Sequence, residues 1–241
     1  MKNYAIKIGD FFFKYRNKVF PIMVLSIFAF SIPPHAIFGE HFYEEIKDKL
    51  AIFIVFCGLA VRAVVIGYAY IKRGGLNKKV YADTLVTEGI FTICRNPLYF
   101  GNILICFGIF IMHGNPWVIL VGGMLYLLIY QCIIYAEEDY LRKKFGADYD
   151  QYCKTTPRWI PKFLKLKEAT TGMRFNINRV IIKDYTTIAV ASISLILVEI
   201  YEDITLTEQS AEIQNMFTLI AVIIVAVLAI RFFKKKGLLK E

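Results

Sequence analysis

Charge is scarce in this sequence, and its cysteines form no pattern. Only 20% of the 241 residues are Asp, Glu, Lys or Arg, while 57% are hydrophobic and the mean hydropathy is +0.50. Soluble domains carry about 25% charged residues, so this is a membrane composition. Cys57, Cys94, Cys106, Cys132 and Cys153 include no CxxC pair, which argues against a disulfide framework or a zinc site. His35, His41 and His113 are scattered without metal-ligand spacing, so no metal is expected. There is no Gly-rich strand-to-helix fingerprint of a dinucleotide fold, and no repeat of broken helices of the transporter kind. The net charge of +9 does not imply nucleic acid. The basic residues lie in short blocks beside apolar runs, as in cytoplasmic loops.

The chain reads as an all-α polytopic membrane bundle of six spans, near 19–38, 50–71, 98–113, 116–136, 185–201 and 216–233. A bilayer needs about 20 apolar residues, and only the third span is short. Pro33 and Pro34 should kink the first span or end it early. No small-residue cleavage site follows it, so it is expected to be retained. Lys14, Arg16 and Lys18 precede the first span. Lys72, Arg73, Lys78 and Lys79 follow the second, Arg142, Lys143 and Lys144 the fourth, and Lys234, Lys235 and Lys236 the sixth. The intervening loops, "GEHFYEEIKDK", "HGNP" and "YEDITLTEQSAE", are acidic or neutral. The positive-inside rule then places both termini in the cytoplasm. Four segments follow: 1–49 with the first span, a core at 50–161, a basic linker at 162–184 suited to the membrane surface, and a C-terminal hairpin at 185–241.

Two polar stretches, 72–97 and 137–162, fall on the cytoplasmic side and flank one hairpin. In "TEGIFTICRNPLYFGN", Asn96 is suited to cap a helix and Pro97 to its first position. Helix three then carries Tyr99, Asn102, Cys106 and His113 close to one face. At i, i+4 and i+7, Gln131, Tyr135 and Glu138 share a face of helix four. Glu137 and Glu138 stand at or just beyond its membrane end, where the helix dipole disfavours anions. That placement suits carboxylates kept for a ligand cation, although a solvated, salt-bridged helix surface explains "EED" before "RKK" equally well. Arg62 lies inside helix two. An intramembrane arginine needs a partner or water, which leaves Glu138, another buried acid, an anionic substrate group, or snorkelling to the surface.

These residues resemble a known family. "EGIFTICRNPLYFG" is similar to the G-x5-R-[HN]-P-x-Y-x-G signature of isoprenylcysteine carboxyl methyltransferases and phospholipid N-methyltransferases. "EEDYLRKKFGADYDQYCKTTPRWIP" resembles their E-E-x-x-L-x3-F-G-x2-Y-x2-Y-x4-P ending, here on Glu137, Glu138, Leu141, Phe145, Gly146, Tyr149, Tyr152 and Pro157. The likeness covers about residues 50–161. It implies an integral-membrane methyltransferase that uses S-adenosylmethionine, with Arg95, Asn96, Pro97, Tyr99, Gly101, Glu137 and Glu138 at the cofactor pocket. Asn102, Gln131 and Tyr135 join that set from the stripes above. Arg62 and Arg95 are the candidates for catalysis. Ile90 stands where many members have proline, and Asn96 where the animal carboxyl methyltransferases have histidine.

Methyl transfer is an in-line displacement that needs alignment more than acid–base help. The lack of a Ser-His-Asp set is therefore no objection. A lipophilic acceptor is expected to enter from the bilayer; prenylated cysteine, a phospholipid amine and a small hydrophobic thiol or acid all fit. Nicotinamide-dependent membrane sterol and steroid reductases share a similar R-H-P-x-Y-x-G turn and form the rival reading. A non-enzymatic scaffold or small transporter is the third.

Overall fold

The computed structural model describes residues 2–34, 41–68, 80, 82–206 and 210–239. Among them every regular element is helical: α1 Lys2–Ala29, α2 His41–Tyr68, α3 Pro97–His113, α4 Gly123–Phe145, α5 Ala147–Thr155, α6 Leu166–Ala169, α7 Ile177–Leu206 and α8 Ser210–Lys235. Four stretches are long and apolar enough to cross a membrane: Phe42–Tyr68, Val118–Phe145, Ile177–Thr205 and Glu212–Lys235. Pro97–His113 is apolar but shorter. The architecture is that of a multi-pass membrane protein.

Several boundaries depart from the sequence expectation. The first helix begins at Lys2, not near 19, and ends at Ala29, ahead of Pro33 and Pro34. Lys14, Arg16 and Lys18 are thus part of the helix and not of a preceding loop. α2 starts at His41 and takes the acidic run into its first turns, with Glu44 near the N-terminus where the helix dipole favours an anion. The expected residues 69–71, and the cluster Lys72, Arg73, Lys78 and Lys79, lie outside the described residues. α3 starts at Pro97 as its sequence dictates, but the Asn96 side chain makes no capping bond. α4 runs to Phe145, two turns past Glu138, with Arg142, Lys143 and Lys144 in its last turn. The glutamates therefore do not sit on the negative helix end, and the basic residues that do are favourably placed. α7 begins at Ile177, so residues 177–184 of the expected linker are helical.

The hairpin between α3 and α4 closes as "HGNP" suggests. Gly114 adopts φ 75°, which a side chain would resist, and Asn115 Oδ1 accepts the Trp117 amide at 2.9 Å. A π-helical turn, Val118–Gly122, then leads into α4.

Packing assembles two halves around α3. α2 and α3 run antiparallel and touch backbone to backbone. A Cβ on Gly58 would lie 2.7 Å from the Gly101 carbonyl oxygen, and one on Gly101 would lie 2.7 Å from Arg62 Cγ. Small residues permit such approach in membranes. α7 covers both helices through a core of Ala51, Val55, Ile105, Ile109, Ala191 and Val198. On the other side α1 lies along α4, with Phe13 against Ile129 and Ile133. The halves join where Cys106 and Phe110 meet Val118, Tyr126, Tyr130 and Phe20. α8 packs on α7 and buries none of its described side chains. The starts of α1, α3 and α7 and the ends of α2 and α4 all come to one end of the bundle.

Candidate functional site

At that end the two polar stretches clasp each other. The Arg95 amide donates to the Pro157 carbonyl at 2.9 Å and the Lys162 amide to the Ile93 carbonyl at 3.1 Å. The Asn96 side-chain amide donates to the Arg158 carbonyl at 3.0 Å, so Asn96 ties the clasp instead of capping α3. Tyr152 donates to the Phe91 carbonyl at 2.7 Å. Cys94 is fully buried, with its thiol 3.2 Å from the Trp159 carbonyl. Burial pushes that thiol up to about 11, only partly offset by the Asn96 backbone amide and the Arg95 charge. Cys94 is thus an inert packing group at neutral pH.

Glu138 is the electrostatic centre. Its Oε1 accepts from Arg95 Nη1 at 2.9 Å and from Arg158 Nε at 2.9 Å, and its Oε2 accepts from Arg158 Nη2 at 2.8 Å. One carboxylate, 7% exposed, therefore holds the R-N-P turn and the P-R-W segment together. Arg95 Nη1 also lies 2.8 Å from Cys153 Sγ. Tyr135 places its ring 5.4 Å from the Arg158 guanidinium. Gln131 accepts from the Trp159 indole at 3.0 Å. Its own amide nitrogen and Arg95 Nε are buried donors without a protein partner.

Glu137 belongs to a different chain of contacts. Tyr99 donates to Glu137 Oε1 at 2.8 Å, and Arg16 of α1 donates to the Tyr99 hydroxyl at 3.2 Å. The Tyr99 ring packs on Tyr130, centroids 4.9 Å apart.

Arg62 does not pair with Glu138. Its Nε donates to Asp184 Oδ2 at 2.9 Å and its Nη2 to Asp184 Oδ1, both side chains being almost fully buried. Nη2 also reaches Thr187 Oγ1 at 3.2 Å, and Nη1 donates to Asn102 Oδ1. Asn102 in turn donates to the Tyr130 hydroxyl at 2.8 Å. Pro97 serves as the first residue of α3, and Gly101 as the contact with α2.

Sequence reasoning missed Arg16, Arg158, Trp159 and Asp184. Arg158 and Trp159 lie in the quoted stretch but just past Pro157, where its pattern ends. Arg16 counted only as a topology charge. A cleft of about 760 Å³ opens beside the clasp, lined by Thr87, Thr92, Tyr152, Thr156, Lys162 and others, and none of the sequence-predicted residues lines it. Among the described residues no three His, Cys, Asp or Glu side chains gather as a metal site requires.

Residues 50–148 match the phospholipid methyltransferase family. The chain is similar to a cobalt-zinc-cadmium resistance protein of Cupriavidus metallidurans, 32% identical over 33% of this chain and 37% of the relative. It is also similar to a protein-S-isoprenylcysteine O-methyltransferase B of Arabidopsis thaliana, 32% identical over 32% of this chain and 39% of the relative. The corresponding enzyme of Schizosaccharomyces pombe is 35% identical over 32% of this chain and 33% of the relative. The aligned part thus spans roughly two fifths or less of each of these relatives. No solved structure matches.

Proposed function

We propose that this chain, whose residues 50–148 match the phospholipid methyltransferase family, is a member of it: a membrane methyltransferase that uses S-adenosylmethionine and modifies a lipophilic acceptor. The observation that carries the reading is the joining of the R-N-P turn to the glutamate pair of α4. Arg95, Glu138 and Arg158 form one charged knot at the bundle end, with Tyr135 against Arg158 and Trp159 on Gln131, while Tyr99 holds the neighbouring Glu137.

The residues present fit that cofactor. Two buried donors lack protein partners, Arg95 Nε and Gln131 Nε2. Such donors suit a carboxylate and the acceptor nitrogens of adenine. The carboxylate of Glu137 suits the ammonium, since Glu138 is already taken up by two arginines. The faces of Tyr135 and Trp159 suit a sulfonium and a purine. Bound there, the cofactor supplies an activated methyl group. Asn96 and Arg158 hold the turn and the 157–159 segment in register, while Tyr99 fixes the Glu137 carboxylate. The acceptor approaches from the bilayer side, and either a carboxylate or an unprotonated amine needs no further activation. We place six passes in the membrane, including α1 and the short α3, with both termini and this site in the cytoplasm.

Two measurements test the reading. Calorimetry on the detergent-purified protein should show saturable binding of S-adenosylhomocysteine and none of NADPH. The reverse result would turn the assignment to a reductase, and binding of neither would remove the enzymatic reading. Topology is tested by a single cysteine at Ser210→Cys on a background with all five native cysteines replaced. An impermeant maleimide should label it from outside in right-side-out vesicles. Labelling only in inverted vesicles would reverse the orientation.

A further inference from the structure

The family match ends at residue 148, yet a helix beyond it enters the site. Asp184 and Thr187 of α7 grip Arg62 of α2, and the side chains of the ion pair are 3% and 2% exposed. A charge pair of this depth gains little net stability over apolar residues of the same size. What it does supply is direction. Arg62 is a planar fork, and Asp184 accepts from its Nε and Nη2. That engagement leaves Nη1 pointing at Asn102 Oδ1.

The constraint passes on. Because the Asn102 oxygen must accept from arginine, its amide group must face the other way, where it donates to Tyr130 at 2.8 Å. The Tyr130 ring lies against Tyr99, the residue that donates to Glu137. Rotation of the Asn102 amide would set two donors against Arg62 and release Tyr130. We propose that Asp184 is a positioning residue for the site: it orients Arg62, and through Asn102 and Tyr130 it fixes the Tyr99–Glu137 pair. The C-terminal hairpin is then a working part of the protein and not an appended anchor. The idea rests on the reading of this end as a cofactor site.

The test separates direction from stability. Asp184→Asn alone strands a buried guanidinium and is expected to fold poorly. Arg62→Met with Asp184→Leu removes both charges and keeps the volume. This double variant should melt like the wild type, yet bind S-adenosylhomocysteine about tenfold more weakly, the scale of one lost hydrogen bond. Tyr130→Phe, which removes the hydroxyl that accepts from Asn102 and that is also hydrogen-bonded to Tyr126, should weaken binding by a similar factor, while Tyr126→Phe, which spares the Asn102 contact, should not. Wild-type affinity in the double variant or in Tyr130→Phe would overturn the proposal and leave the pair a structural one. If the wild-type protein itself fails to bind S-adenosylhomocysteine, the cofactor reading fails, and that result is distinct from a binding wild type with unaffected variants.

Discussion

Glu138→Gln should melt well below the wild-type protein, besides weakening any cofactor binding. From sequence alone this substitution deletes a ligand charge and keeps the shape, so the fold should survive it. The structure gives Glu138 two arginines to neutralise, both at hydrogen-bonding distance. Glutamine would present one donor-bearing end to guanidiniums that can only donate. Breaking a buried ion pair on one side costs about 3–5 kcal/mol. The lower end applies here, because the Arg158 side chain is 33% exposed and keeps some hydration. Thermal unfolding in a fixed detergent reads the effect. Adding Arg158→Gln to Glu138→Gln should recover part of the loss, since it withdraws one of the two stranded cations. A single variant as stable as the wild type would mean that Glu138 does not hold the clasp.

Gly9→Val should be at least as damaging, although Gly9 lies outside every family motif in the sequence. A Cβ there would stand 2.0 Å from the Cys132 carbonyl oxygen, 2.6 Å from its carbon and 3.0 Å from Ala136 Cβ. The nearest obstacle is backbone inside a helix, which cannot swing aside as a side chain would. Overpacking a tight contact costs about 1–3 kcal/mol, and an immovable obstacle places this site at or above the top of that range. α1 would have to part from α4. Arg16, two turns further along α1, would lose its bond to Tyr99. A lowered melting temperature accompanied by weaker S-adenosylhomocysteine binding is the expected pair of results. Normal melting of Gly9→Val would show that α1 does not lie on α4 in this register.

Sequence revealed the helical class and the meeting of the two polar stretches more surely than the partner of any one charge. The hairpin of α3 and α4 was legible because turn chemistry is local: Gly114, Asn115 and Pro116 act within a few residues of themselves. Helix ends were less legible. Span limits drawn at the last apolar residue cut helices short, because charged residues such as Glu44 and Arg142 extend a helix beyond the apolar slab without interrupting its backbone. Asp184 was lost in that way. The apolar run starts at 185, one residue after it, so from sequence the carboxylate that Arg62 requires falls in the linker. Arg16 and Arg158 were invisible for another reason. Nothing in a sequence says which cation of a basic block turns inward; only the packing of α1 on α4 and of the P-R-W segment on Glu138 decides that.

The π-helical turn at Val118–Gly122 ties the hairpin between α3 and α4 to the opposite end of the bundle. An α-helix advances each side chain by about 100°, so every position after this wider turn inherits its phase. Gln131, Tyr135 and Glu138 face the clasp only because the count of residues from Gly114 onward is what it is. Loss or gain of a single residue in that short stretch would swing the whole downstream stripe by more than a quarter of a revolution, turning Glu138 away from Arg95 while leaving composition and hydropathy almost unaltered. The hairpin is in this sense a clock setting for the charged knot at the other end of the bundle, and its length is constrained for a reason unrelated to turning the chain.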